Sequence, residues 1–281
     1  MSKVKDKPKV KPFLKWAGGK LRIVHELAKY FPKGLRFVEP FLGAGSVSLN
    51  VDYPQYIVND TNQDLIWVWE YLQEDKEMFV AECKKLFTAH TNKEDAFYKL
   101  RQEFNETEDA LRKSVLFVYL NRHCYNGLCR YNSDGGFNVP FGQYKEPYFP
   151  SDEFDKCSEK ISKKFKICCE DFRKVFSKVR EGDVVYCDPP YLPMSESAAF
   201  DAYAAGGFSL QDHLDLADCS LRAAKGGATV IISNHWNWYS QQIYGKATKI
   251  RKIQVSRTIS GKTDNRKKVP EVIAIFQGTK S

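Results

Sequence analysis

The spacing of apolar positions changes character along the chain. Leu21 to Phe31 carries a helical pattern closed by Pro32 and Gly34. Leu35-Arg36-Phe37-Val38-Glu39 then reads as a short strand, and Gly43-Ala44-Gly45 as a tight turn into another helix. Tyr56-Ile57-Val58-Asn59 is a second strand and ends in Asp60. Strand, glycine turn, helix, strand is the opening of a nucleotide-binding α/β sheet. From Asp64 to about Arg122 the period becomes helical, with Leu65, Val68, Trp69 and Leu72 on one face and Leu116, Tyr119 and Leu120 on another. Tyr125 to Pro150 is rich in Asn, Gly, Tyr and Pro, too long for a plain connection and therefore read as functional. After Phe154 the α/β alternation resumes, with strands expected at Lys166–Cys169, Val184–Cys187 and Ala228–Ser233. A final strand pair is expected around Lys249–Val255 and Val269–Phe276. The simplest organisation has a flexible basic arm (1–11) and a sheet domain (12–62 and 145–281). A mostly helical insertion (63–144) interrupts the sheet.

Composition narrows the function classes. The 281 residues suit one large α/β domain with an insertion. No run approaches the roughly 18 apolar residues of a membrane span, Val115 to Leu120 being far too short. Met1 to Lys11 holds five Lys and one Asp and is followed by no apolar secretory segment, so a cytoplasmic location is expected. The net charge is +8, which directs attention to a polyanionic partner. Eight cysteines form no Cys-x-x-Cys pair, and buried reduced thiols are expected. His123, Cys124 and Cys129 lack a fourth ligand at zinc-like spacing, so no metal is expected.

Two motifs carry chemistry. In Phe41-Leu42-Gly43-Ala44-Gly45-Ser46 two glycines allow close backbone approach to a ligand, and the helix start expected after them would offer N–H groups. Asp60, at the end of the next strand, is placed to accept hydrogen bonds from ribose hydroxyls. Ser48 stands where a dinucleotide fingerprint has its third glycine, which weakens a nicotinamide reading. The second motif is Asp188-Pro189-Pro190-Tyr191 at the carboxyl end of a strand, where α/β proteins bind ligands. Two prolines remove two N–H donors and force an extended turn with accessible carbonyls. A carboxylate, a carbonyl and an aromatic face together suit a planar exocyclic amine.

These motifs, with the opening Phe13-Leu14-Lys15-Trp16-Ala17-Gly18-Gly19-Lys20, resemble DNA adenine-N6 methyltransferases of the Dam type. Leu120-Asn121-Arg122, Tyr125-Asn126-Gly127-Leu128-Cys129-Arg130-Tyr131-Asn132 and Phe137-Asn138-Val139-Pro140-Phe141-Gly142 resemble its GATC-specific members. The resemblance runs from about Phe13 to Phe276. It implies a Rossmann-like sheet with a helical target-recognition insertion, acting on double-stranded DNA. The methyl donor would be S-adenosylmethionine, bound by Trp16, Lys20, Gly43, Gly45, Asp60 and Asp188. Asp188, Pro189, Pro190 and Tyr191 would hold a flipped adenine. Lys15, Tyr125, Asn126, Leu128, Arg130, Asn138, Pro140 and Tyr144 would meet DNA, with Tyr125 wedging into the stack and Arg130 reading guanine. Gln143 departs from relatives that carry Arg there, which puts one phosphate contact in doubt. A monomer is compatible with the sequence.

Two rivals remain open at this stage. A nucleotide-dependent oxidoreductase would leave Asp-Pro-Pro-Tyr without a role, and a catalytically inactive DNA-binding protein would not need it intact. Ser233-Asn234-His235 follows a strand and reads equally as a loop cap or as part of the site. Arg257, Lys262, Arg266, Lys267 and Lys268 read equally as a solvated hairpin or as phosphate contacts. Trp67 and Trp69 read as packing.

Overall fold

A computed structural model of the chain describes residues 9–161, 164–192, 207–256 and 268–278. The first eight residues of the expected arm and Arg257, Lys262, Arg266 and Lys267 lie outside these. Seven strands form one sheet: β1 (Arg36–Glu39), β2 (Gln55–Asn59), β3 (Phe165–Cys168), β4 (Val184–Cys187), β5 (Thr229–His235), β6 (Lys249–Ser256) and β7 (Lys268–Gln277). Their order is β3-β2-β1-β4-β5-β7-β6. β2, β1, β4 and β5 are parallel neighbours, whereas β7 runs antiparallel to both β5 and β6. Parallel strands are covered on both faces and so read as unbroken apolar runs. Val184-Val185-Tyr186-Cys187 and Val230-Ile231-Ile232 are such runs and are fully buried. Each such aliphatic side chain contributes about 1.5–3 kcal/mol on burial. In β6, by contrast, Ile253 and Val255 are buried while Lys252 and Gln254 are exposed, the alternation of a half-covered edge strand.

The chain divides into two compact units. One comprises residues 1–24, 42–52 and 60–169, the other 25–41, 53–59 and 170–281. The first is mainly helical, with α2 (Gln63–Glu74), α3 (Lys76–Lys85), α4 (Glu94–Glu106), α5 (Ala110–His123) and α6 (Ser151–Ile161). Ten consecutive residues of α5, Ser114 to His123, are buried, because α2, α3 and α4 all pack on it. Asn62, Asp75 and Asp109 cap α2, α3 and α5 by accepting from backbone N–H groups one turn on. Val10, at the end of the expected arm, exchanges two 2.8 Å hydrogen bonds with the Asn50 amide.

The second unit holds every strand except β3, together with α1 (Val24–Ala28, begun in the first unit), α7 (Phe172–Phe176), α8 (Leu210–Lys225) and α9 (Trp238–Ile243). Ser209 and Asp212 form a capping box at the start of α8. Arg173 of α7 bridges Asp212 and Asp215 on α8 at 2.5 and 2.6 Å.

Two expected helices come out differently. The Leu21–Phe31 helix is reduced to a 3-10 turn (Lys20–Arg22) and the five-residue α1. Its end is released through i→i+3 bonds from Tyr30 and Phe31 before Pro32. No α-helix follows the glycine turn either, only the 3-10 turn Ser48–Asn50. The Asn50 side chain takes the Ser46 carbonyl at 3.0 Å, competing with the backbone bond that would continue a helix.

Candidate active site

In the first unit a glycine turn is built around two indoles. Gly43 and Gly45 have φ of +50° and +67°, a backbone that side-chain-bearing residues rarely adopt. A Cβ on Gly43 would lie 2.6 Å from Trp16 Nε1, so the Trp16 ring rests on the bare backbone. Trp69 Nε1 donates to the Gly43 carbonyl at 3.3 Å, and the ring is buried under Gly45. The Gly43 N–H donates to Asp60 Oδ2 at 2.9 Å and the Asn62 N–H to Asp60 Oδ1 at 3.0 Å. Burial pushes the Asp60 carboxyl up from its ordinary range, against the pull of the Gly43, Asn62 and Thr61 N–H groups. Each carboxylate oxygen has a second lone pair with which to accept from a ligand hydroxyl. Lys20 is buried, and its ammonium donates to the Gly18 carbonyl at 2.9 Å.

The segment after α5 folds back as an irregular hairpin. Cys124 bridges Phe141, and Tyr131 bridges Phe137. Buried Phe137 and Val139 anchor it. At its base Asn121 binds both the N–H and the carbonyl of Lys15 at 2.8 Å, strapping the N-terminal motif to the end of α5. Lys15 Nζ lies 4.2 Å from the Tyr144 ring centroid, and burial, then Arg122, push its pKa down. Asn126 (φ +54°) donates its N–H to the Tyr144 hydroxyl at 2.9 Å. Gly127 (φ +63°) leaves no room for a Cβ, which would meet Lys15 at 2.4 Å. Lys15, Asn126 and Tyr144 are thus one cluster. Beside it Tyr125 is 53% exposed and donates its N–H to the Pro140 carbonyl.

Further along the hairpin, Leu128 is half-buried and Pro140 and Arg130 are exposed. Asn138 Oδ1 accepts from Arg130 Nε at 2.7 Å and orients the guanidinium. The hairpin is tied to the start of α2: the Tyr131 hydroxyl donates to Asp64 Oδ2 at 2.7 Å, close to the Asn62 amide. Among the described residues no three His, Cys, Asp or Glu side chains converge to hold a metal ion.

In the second unit Asp188-Pro189-Pro190-Tyr191 leaves the carboxyl end of β4. Pro189 is buried, and Asp188 and Tyr191 are half-buried. The end of β5 grips this loop residue by residue. The Ser233 hydroxyl donates to Asp188 Oδ1 at 2.9 Å and lies 2.8 Å from the Tyr186 hydroxyl. Asn234 Oδ1 accepts from the Leu192 N–H at 3.0 Å. His235 Nδ1 lies 2.9 Å from the Leu192 carbonyl, and its ring meets Tyr191 edge-on at 4.5 Å. From α8, His213 bonds the Pro190 carbonyl, and burial lowers its pKa to about 4.

Ser233-Asn234-His235 therefore lies within β5 itself rather than in a loop cap, and packs on the Asp188–Leu192 loop. Sequence reasoning gave no role to Asn121, Tyr131 or Asp64. The available signal was polar Asn121-Arg122-His123 directly continuing the apolar run Val115–Leu120 of a buried helix. Tyr131 and Asp64 stand 67 residues apart and carry no local signal.

The model of the D12 class N6 adenine-specific DNA methyltransferases matches residues 16–267. Over 269 residues the chain is 42% identical to a DNA adenine methylase of Escherichia coli K12, covering 96% of each. It is 41% identical over 269 residues to the DNA adenine methylase of Vibrio cholerae O395, covering 95% of this chain and 96% of that one. The Serratia marcescens DNA adenine methylase is 44% identical over 270 residues, covering 96% of this chain and 99% of its own.

Proposed function

The chain belongs to the D12 class of N6 adenine-specific DNA methyltransferases, and on that premise we propose that it methylates adenine within GATC in double-stranded DNA. It is a DNA adenine methyltransferase with S-adenosylmethionine as methyl donor. That donor supplies a methyl group already activated by its sulfonium. The first unit fits it in three ways. A turn without side chains at Gly43 and Gly45 lets the ligand approach, Trp16 offers a ring, and Asp60 offers a braced acceptor. The oxidoreductase rival leaves Asp188-Pro189-Pro190-Tyr191 without a role, and the family match stands against it.

Their placement supports the following roles for the site residues. Trp16, Lys20, Gly43, Gly45, Asp60 and Asp188 bind the cofactor, with Asp60 on the ribose. Adenine in a duplex hides its amine, so the base is flipped out before transfer. Asp188 and a Pro189 carbonyl accept the two amine hydrogens, Pro190 holds the turn, and Tyr191 stacks on the base. The Asp188 carboxylate stabilises the positive charge that develops on N6. Tyr125 wedges into the stack while Asn126, Lys15 and Tyr144 support it. Arg130, oriented by Asn138, takes guanine O6 and N7, and Leu128 and Pro140 contact neighbouring positions. Residues 63–144 form the recognition domain and 12–62 with 145–281 the catalytic domain. A monomer suffices for this arrangement, and the cytoplasm is where it meets DNA, in a bacterium or a phage-infected host.

The observation that carries the reading is the Asp188–Tyr191 loop at the carboxyl end of β4, pinned by Ser233, Asn234 and His235 of β5. Transfer of label from S-adenosylmethionine to duplexes with GATC, or with each position altered, tests it. Methylation confined to GATC is expected, and abolished in Asp188→Ala with folding intact. Equal labelling of altered sites refutes the specificity, and an active Asp188→Ala refutes the mechanism.

A further inference from the structure

Ser233 and Asn234 are fully buried polar residues at the end of a central strand. Buried polar groups need hydrogen-bond partners, and here the Asp188–Leu192 loop supplies one to each. Ser233 holds Asp188, Asn234 holds the Leu192 N–H, and His235 meets both the Leu192 carbonyl and the Tyr191 ring. The loop contributes few backbone donors of its own because Pro189 and Pro190 have none. Its conformation therefore depends in part on what β5 presents to it.

The hydrogen bonds at Ser233 have a fixed direction. An ionised carboxylate only accepts, so the Ser233 proton points to Asp188 Oδ1 at 2.9 Å. The Ser233 oxygen is then the acceptor of the 2.8 Å bond with the Tyr186 hydroxyl. Tyr186 is fully buried in β4, and burial holds its hydroxyl well above the ordinary phenol range, so it remains a proton donor. Tyr186, Ser233 and Asp188 form a one-way relay of donors ending on the carboxylate. A carboxylate's terminal torsion is otherwise broad and nearly two-fold.

We propose that Ser233 is a positioning residue for methyl transfer, setting through this relay the rotation of the Asp188 carboxylate that receives the adenine amine. The proposal rests on the reading of Asp188 as that acceptor. Ser233 is fully buried and acts through the Asp188 carboxylate on the geometry of the reacting amine. A rotated carboxylate still permits the base to bind but misaligns its nitrogen, and misplacement on the ångström scale costs up to about a hundredfold in rate.

The test is single-turnover methylation of a GATC duplex by Ser233→Ala, Ser233→Cys and Ser233→Thr, with cofactor and DNA dissociation constants measured in parallel. Ser233→Ala is expected to slow transfer roughly ten- to a hundredfold with both dissociation constants within about twofold of wild type. Ser233→Thr keeps the hydroxyl and should recover most of the rate. Ser233→Cys, nearly isosteric and a weaker donor, should fall between and serves in place of Ala if that variant does not fold. A wild-type rate in Ser233→Ala overturns the proposal, as does a rate loss matched by equal losses of binding and thermal stability. Asp188→Ala, assayed alongside, separates the two claims. If it is inactive while Ser233→Ala is normal, only the positioning role fails; if it is active, the reading of Asp188 itself fails.

Discussion

Replacing Gly43 by alanine should separate folding from cofactor binding. At φ +50° the new side chain carries a left-handed penalty of about 1–2 kcal/mol. Its Cβ would also stand 2.6 Å from Trp16 Nε1 and 2.9 Å from Cδ1. The turn cannot retreat, because the Gly43 N–H is held by Asp60 at 2.9 Å and its carbonyl by buried Trp69 at 3.3 Å. The half-buried Trp16 ring must move instead, by roughly 1 Å to regain van der Waals distance. Gly135→Ala is the control: its φ is +78°, and nothing lies within 4 Å of its Cβ. Both variants should lose about 1–2 kcal/mol to the left-handed backbone in denaturant unfolding, and Gly43→Ala more, for displacing Trp16. Only Gly43→Ala should lose kcat/KM for S-adenosylmethionine, by up to about a hundredfold, with weaker binding in calorimetry. A folded Gly43→Ala protein with wild-type cofactor affinity would show that the Trp16 ring and this turn do not form the cofactor wall.

Arg130→Ala should lose about 1–3 kcal/mol of preference for guanine at the first position of the site, read from relative rates on singly altered duplexes. A loss of the same factor on every sequence, with a shallower salt dependence, would make Arg130 a phosphate contact instead. Tyr131→Phe, which releases the hairpin from Asp64, should relax the same preference without weakening cofactor binding; unchanged discrimination would dismiss the tether. Burial lowers His123 and His213 from 6.5 to about 4, so both are neutral in the fold while the unfolded chain protonates them below about pH 6.5. Stability is then full above pH 6.5, falls as the pH drops towards 4 and levels off below, with each histidine worth on the order of 3 kcal/mol. Urea unfolding at several pH values checks this, and the assigned His123 and His213 resonances titrating near 6.5 in the folded protein would contradict it.

Much of the sheet was legible because the signals are local. Apolar runs such as Val184–Cys187 and Val230–Ile232 can satisfy their side chains only between two covered faces. All seven strands lie where those runs predict, within a residue or two. The helical period expected from Asp64 to about Arg122 is also found, but as four helices between Gln63 and His123, whose breaks the apolar period did not give. The helix expected after Gly45 failed because a side chain, Asn50, took the Ser46 carbonyl, and periodicity does not register such competition.

For the candidate site, residue types and spacing alone singled out the glycine turn, Asp60 and Asp188–Tyr191, since each has a chemistry tied to adjacent residues. Gly43 needs its left-handed φ and Asp188 its prolines whatever surrounds them. Tertiary structure alone decided what holds these groups still: Asn121 on Lys15, 106 residues away, Tyr131 on Asp64, and Ser233 on Asp188 across 45 residues. A single hydroxyl or amide contributes nothing to periodicity, and its partner is chosen by burial, which obliges a polar atom to bond to whatever the packing brings within 3 Å.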